Sequence, residues 1–343
     1  MHNTKLALAC IAASLVQTAN AADLSVCLTG CPFATIQSAI NSSHSGDVVH
    51  IAAGTYFENL SIDGKRLTLL GAGEDLTVID GRYRGATVTL GTLQENATQT
   101  VSIIGVTITH GRSPLGGGIS VLGELLDLQN SIVTSNQSTG GGGGIEFVTL
   151  GAPLNKITKS MIVHNRAAEV GGGIDVGAEA VVQVVNSTIA RNTAGTRGGG
   201  LYANGASRTT IQTTTFNDNT SQQNGGGIYL EGGEPNARMT IDTSTFVGNS
   251  ATLDGGGIFR VGGLSINKTV LAHNLAGNDG GGISAFVDLR AGALALSDVF
   301  VVQNSAGSQG GGILNEATLA LTNVTIAGNQ PNNCVQVNGV GCP

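Results

Sequence analysis

A run of three glycines followed by Ile or Leu occurs eight times, with first glycines at Gly116, Gly142, Gly171, Gly198, Gly225, Gly255, Gly280 and Gly310. An asparagine stands six residues upstream in seven copies, as in NSATLDGGGI from Asn249 to Ile258; the first copy has His110 there. A repeat of this kind is one supersecondary unit that cannot bury its apolar face alone and must stack on copies of itself. Counting back from each asparagine gives two further apolar columns, one at Leu128, Ile157, Val184, Ile211 and Ile241, the other at Val133, Ile162, Ile189, Phe216 and Phe246. Together with the Ile or Leu after the glycines, they make three short alternating segments rich in β-branched residues and separated by Gly, Asn, Ser and Thr, which is the signature of strands. The pattern predicts an all-β solenoid, a right-handed parallel β-helix of about ten coils spaced by about 4.8 Å. The aligned asparagines are then placed to bond to one another, or to turn backbone, from coil to coil.

Residues 1–21 read as a secretory signal peptide: Lys5 is the basic start, Leu6 to Val16 the apolar run, and Ala19-Asn20-Ala21 the cleavage signal. The run is too short to span a membrane. The expected location is therefore outside the cytoplasm, secreted or at the cell surface, with the periplasm as an alternative. Export permits disulfides, and the mature chain holds Cys27, Cys31, Cys334 and Cys342. Tens of ångströms of solenoid exclude end-to-end bridges, which leaves Cys27–Cys31 and Cys334–Cys342 as terminal clips. A single domain is expected over 22–343: residues 22–47 as an N-terminal cap, 48–330 as coils and 331–343 as a C-terminal cap. Within the first cap, Ile36, Ala39 and Ile40 stand at helical spacing and predict a short capping helix. A monomer is expected.

Charged residues are only 11 % of the chain and the net charge is −7, with no basic run to offset it, which argues against nucleic acid and anionic membrane as partners. Chemistry must lie in columns, where successive coils bring side chains together. One column, just after the glycine triplets, runs Glu146, Asp175, Tyr202, Tyr229 and Phe259. Alternation turns it away from the core, as carboxylates that accept sugar hydroxyls or hold Ca²⁺ and rings that stack on sugar faces. Otherwise no cofactor is implied. A second column, His164, Arg191 and Asp218, is the weak catalytic candidate, as acid, clamp and base; the plain reading is an exposed ion pair at a turn. Lys268 and Asp298 form a similar neighbouring pair.

Two stretches carry a family resemblance. TIQSAINSSHSGDVVHIAAGTYFENLSIDGKRLTLLGAGEDLTVIDG resembles the opening of pectin-lyase-like right-handed β-helix proteins. FNDN at Phe216 to Asn219 and FVGN at Phe246 to Asn249, each followed by GGGI, resemble the F-x-x-N and G-G-A/G-I motifs of polymorphic outer membrane proteins. The catalytic segments of pectin methylesterases and polygalacturonases are not found, so the resemblance implies a fold and no catalytic residue. The leading expectation is a secreted or cell-surface, adhesin-like protein that binds polysaccharide or a surface. The alternative is a polysaccharide lyase or glycoside hydrolase acting on an acidic glycan.

Overall fold

The computed structural model describes residues 21–93, 99–148, 154–232, 238–286, 293–316 and 318–337. Each regular coil visits four strands in turn, as in Leu125–Gln129, Ile132–Thr134, Gln137–Gly141 and Ile145–Phe147. Strands of one kind stack in parallel register along the axis and make sheets A, B, C and D, with twelve, eleven, eight and eleven strands. The molecule is thus a parallel β-solenoid of about ten coils. Inward residues of sheets A, B and D form one continuous core, with Ile211, Ile241 and Ile266 among its ladders.

Each regular coil turns three corners on left-handed residues, in one coil Asn186 (φ 50), Arg191 (φ 54) and Gly198 (φ 67). The third corner explains the first glycine of every triplet. The other two glycines answer to stacking: a Cβ on Gly227 would lie 2.5 Å from the Gly257 carbonyl oxygen, and one on Gly226 would lie 2.5 Å from the Ser250 carbonyl carbon. No larger residue lets the coils approach to strand spacing there.

The asparagines form the expected ladder inside the corner between sheets B and C. From Asn136 to Asn304 each side-chain Nδ2 donates to Oδ1 of the next asparagine at 2.9–3.1 Å. Each Nδ2 also donates to a carbonyl of the preceding coil, for Asn219 that of Ile189 at 2.8 Å. At the far end Asn329 donates to Asn333. A second ladder, absent from the sequence reading, runs five residues earlier through Ser131, Ser160, Ser187, Thr214, Ser244 and Thr269. In it each backbone N–H donates to the next hydroxyl at 3.1–3.4 Å. It satisfies amides at the corner between sheets A and B that would otherwise be buried without partners.

Register corrects the placement of His110. Thr107–Thr109 pairs with Ile132–Thr134 and Arg112 pairs with Gln137, so Gly111 stands beside Asn136 and donates its N–H to Asn136 Oδ1 at 2.8 Å. His110 belongs one residue earlier, in the column of His164, because the chain is one residue shorter between Gly111 and Gly116 and the register shifts there.

At the start, helix α1 (Ile36–Ser42) buries Ile36, Ala39 and Ile40, with Thr35 as its N-cap and the Glu58 carboxylate accepting from Ile36 N and Gln37 N. The segment read as a cap also supplies a strand: Asp23–Val26 pairs with Val48–Ile51 as the first rung of sheet A. Cys334–Gln336 likewise extends sheet D. Cys27 and Cys31 are joined, with Cα atoms 5.5 Å apart. Cys334 is also disulfide-bonded; Cys342 lies outside the described residues, as does residue 1–20 of the signal peptide. Among the described residues no helix is long and apolar enough to cross a membrane.

Candidate functional site

The column after the glycine triplets forms as sequence spacing requires. Glu146 faces Asp175, Asp175 faces Tyr202, Tyr202 faces Tyr229 and Tyr229 faces Phe259, each in direct register on sheet D. Alternation holds in that the rings leave the main core and make a cluster of their own. The expected open platform does not form, because Tyr202, Tyr229 and Phe259 are only 9 %, 6 % and 5 % exposed. Val170 and Val261 pack against the rings, and the Arg197 guanidinium stands 5.1 Å from the centre of Tyr229. The triplet corner folds the chain before it, with Val170 and Arg197, back over the outer face of sheet D. The rings stack at 5.5 and 5.0 Å centre to centre and act as a buried clamp between coils.

The carboxylates continuing the line are buried too. Glu146 Oε2 accepts from Gly116 N at 2.8 Å, and the Asp175 carboxyl fills the space a side chain at Gly141 would need. Burial pushes Glu146 up to about 7, with Glu169 adding to the shift and the Gly116 N–H opposing it. Asp175 is held well above the usual carboxylate range by burial first, then by Glu146, Glu231 and Glu169. Tyr202 is raised by burial and by its hydrogen bond with Glu231. Burial thus disfavours the anionic form of both carboxyls. Their arrangement is poor for Ca²⁺, which takes six to eight oxygens, usually including ionised carboxylates. Among the described residues no three His, Cys, Asp or Glu side chains converge to hold a metal ion.

His164, Arg191 and Asp218 do share one column, at the left-handed corner between sheets B and C, with φ of 57°, 54° and 54°. Arg191 Nε lies 3.9 Å from Asp218 Oδ2, with both side chains at least half exposed. His164 is exposed as well. The trio is exposed at the corner, and an exposed pair of that kind contributes little. Lys268 and Asp298 stand at a different corner, between sheets A and B.

Sequence reading passed over the outer face of sheet A. Ser102, Thr158, Gln183, Thr210, Gln212 and Ser265 point from it, half-buried or exposed, so hydroxyls and amides recur along about 30 Å of the face at one strand per about 4.8 Å, with Leu154, Val181 and Val185 among them. Two shallow pockets open at its N-terminal end. One, of about 280 Å³, is lined by Asp47, Arg66, Thr68, Thr100 and Ser102; the other, of about 370 Å³, by Ser25, Cys31, His50 and Leu70 among others. His50 Nε2 lies 2.8 Å from Asp23 Oδ1. The only signal for this face was the recurrence of Ser, Thr and Gln between apolar residues. Arg260 was missed as well: it points into the tube, fully buried, where Nη1 donates to the Gly262 carbonyl at 2.6 Å and burial lowers its pKa to about 10. The longest stretches between a glycine triplet and the next asparagine, around Gly151 to Lys156, Glu231 to Arg238 and Val287 to Gly292, lie mostly outside the described residues.

Residues 91–286, more than half of the chain, match the family model described as the right handed beta helix region. None of the curated proteins matches the sequence significantly. Similar solved structures include a pectin methylesterase from carrot, at 13 % identity over 93 % of this chain and 88 % of that chain, with a TM-score of 0.37. Another is the A-module of the Azotobacter vinelandii mannuronan C-5 epimerase AlgE6, at 14 % identity over 89 % and 95 % of the two chains, with a TM-score of 0.43. A third is the deglycosylated pectin methylesterase from Aspergillus niger, at 14 % identity over 94 % and 91 %, with a TM-score of 0.37. Likenesses this distant transfer no side chain to the present site.

Proposed function

The chain belongs to the right-handed β-helix family, and on that premise we propose that it is an exported, adhesin-like protein that binds a polysaccharide laid along the outer face of sheet A. The observation that carries this reading is the face itself, a long row of hydroxyls and amides including Gln183, Thr210 and Gln212 on adjacent strands. Such groups donate and accept hydrogen bonds in the way sugar hydroxyls require, and an extended ligand meets them on a backbone that need not reorganise. The buried state of Glu146, Asp175, Tyr202, Tyr229 and Phe259 moves the ligand away from sheet D. Export through residues 1–21 belongs to the same proposal, and the Cys27–Cys31 disulfide suits an oxidising compartment.

A glycan array with the mature protein tests the reading, followed by affinity measurements on the triple variant Gln183→Ala, Thr210→Ala, Gln212→Ala. The expected result is a bound glycan whose affinity falls at least tenfold in the variant, with unfolding temperature unchanged. A folded variant that binds as tightly as the parent would move the ligand off this face. A lyase or hydrolase acting on an acidic glycan is the second reading, favoured by the His50–Asp23 pair at 2.8 Å beside the larger pocket. New reducing ends or unsaturated products, abolished by His50→Ala, would establish it.

A further inference from the structure

The corner between sheets B and C carries a feature that no linear stretch of sequence displays. The loop from Gly81 to Ala86 leaves sheet B with Arg82, Tyr83 and Arg84 all exposed. Tyr83 N donates to His110 O at 2.5 Å, and Arg112 N donates to Gly85 O at 2.8 Å, so the next coil is tied to this loop and lays His110 and Arg112 beside it. Further along, Arg112 pairs through Gln137 with Arg166, and Arg191 follows in the column of His110. Five of the sixteen lysines and arginines of an acidic chain therefore line one corner within five successive coils. Their acidic neighbours are few: among the described residues Asp80 pairs with His110 at 3.0 Å and Asp218 with Arg191 at 3.9 Å, and no carboxylate lies within salt-bridge distance of Arg82, Arg84, Arg112 or Arg166.

The cluster is also held in place. The Arg82 guanidinium lies 3.7 Å over the centre of the Phe57 ring, while Asp80 Oδ1 accepts from Arg82 N at 2.8 Å. Tyr83 packs against the His110 ring at 5.1 Å. Arg82 and Tyr83 both have left-handed backbones, φ 50 and 57, the conformation that also turns the corners of the regular coils, and it fixes where their side chains leave the loop. Beneath them Thr87 is fully buried and donates to Thr109 O at 3.0 Å. Phe57 and Tyr83 remain 54 % and 45 % exposed, so flat apolar surface and fixed cations face solvent together.

We infer that this corner is a second binding site, separate from sheet A, for a polysaccharide bearing one anionic group per sugar unit or per few units. The cations follow the axis over five coils, two in the first, one in the second, none in the third, where Gln137 stands, and one in each of the next two, so charged coils are about 5 to 10 Å apart, whereas duplex DNA presents a charge about every 1.7 Å and would meet an acidic protein around a narrow cationic strip. Guanidinium groups pair with carboxylate or sulfate oxygens, and the exposed rings take the CH faces of the sugar. Sheet B on one side and sheets C and D on the other separate the corner from sheet A, so either site can fail without the other.

The test measures binding of the full mature protein to polygalacturonate, dextran sulfate, fully methyl-esterified polygalacturonate and duplex DNA at low and moderate salt. Parent protein is expected to bind at least one anionic glycan in a salt-dependent way and to leave the esterified polymer and DNA unbound. The double variant Arg82→Gln, Arg84→Gln should lose at least tenfold in affinity with a flatter salt dependence, and Tyr83→Asn, which keeps a residue tolerant of the left-handed backbone, should weaken binding at all salt concentrations. Binding of dextran sulfate without polygalacturonate identifies the anion as a sulfate ester. Absence of binding to both anionic glycans, equal binding to DNA, or undiminished affinity in a double variant with parental unfolding temperature overturns the inference.

Discussion

At the residue scale, the solenoid depends on polar side chains with no freedom left. Asn219 accepts from both Asn192 N and Asn192 Nδ2 and donates to Ile189 O and Asn249 Oδ1, so Asn219→Leu strands several buried groups at once. Loss of at least about 1 to 3 kcal/mol is expected, measured by denaturant unfolding; Asn219→Asp, which keeps the acceptor and loses the donor, should also destabilise at neutral pH. A second residue-scale outcome concerns pH. Burial above all raises the Glu146 carboxyl from its ordinary value of 4.5 to about 7 in the folded chain. A raised folded pKa means that its contribution is fully present below the unfolded value and is lost as pH rises through the folded one, so stability should fall between about pH 4.5 and 7. The loss from Glu146 is about 3 kcal/mol at most, and Asp175, raised in the same direction, adds to it. Glu146→Gln should flatten the decline and raise the unfolding temperature at pH 8, which a thermal melt series would show. A stability that instead rose from pH 5 to 8 in the parent would mean that these carboxyls ionise freely.

At the element scale, strands and corners stack because identical positions repeat. Ile241 lies between Ile211 and Ile266 in sheet A and is 1 % exposed. Ile241→Ala should therefore cost about 2 to 5 kcal/mol, and a loss under about half a kcal/mol, read from denaturant unfolding, would place the side chain outside the core. These columns were legible because an invariant six-residue step from asparagine to glycine fixes the phase of every strand between them. The Ser/Thr ladder was harder to see: its members change between Ser and Thr, give way to Val299 and Val324 in the last coils, and resemble any polar turn residue. The fate of Tyr202, Tyr229 and Phe259 was not legible at all, since alternation tells which side of a strand a ring leaves by and nothing about what folds back over it. Val170 and Arg197, the residues that cover the rings, precede the triplet and read as ordinary turn positions. The cationic corner was hidden for a related reason, as Arg82, Arg112, Arg166 and Arg191 are tens of residues apart and meet only through register.

At the scale of the whole molecule, every sheet is a single file in which a strand pairs only with the coil before and the coil after. Stability is then close to a sum over coils and their shared faces, and a coil can be removed if the register on both sides of the cut is kept. Deleting Asn219 to Gly248 joins Asp218 to Asn249. Asn192 then meets Asn249 in the ladder, Ile211 meets Ile266 in sheet A and Tyr202 meets Phe259 in sheet D. The shortened protein should fold, unfold in one transition and be about 4.8 Å shorter along its axis, measured by small-angle scattering and circular dichroism. Deleting Asn219 to Val247 removes one residue fewer. It leaves Gly248 between Asp218 and the ladder, shifts the asparagine off its corner and exchanges the inner and outer faces of the strands that follow. That variant should aggregate or fail to accumulate. If both deletions folded equally well, the ladder and the alternation would not be what holds the coils in register; if neither folded, the coils would depend on contacts reaching beyond their nearest neighbours.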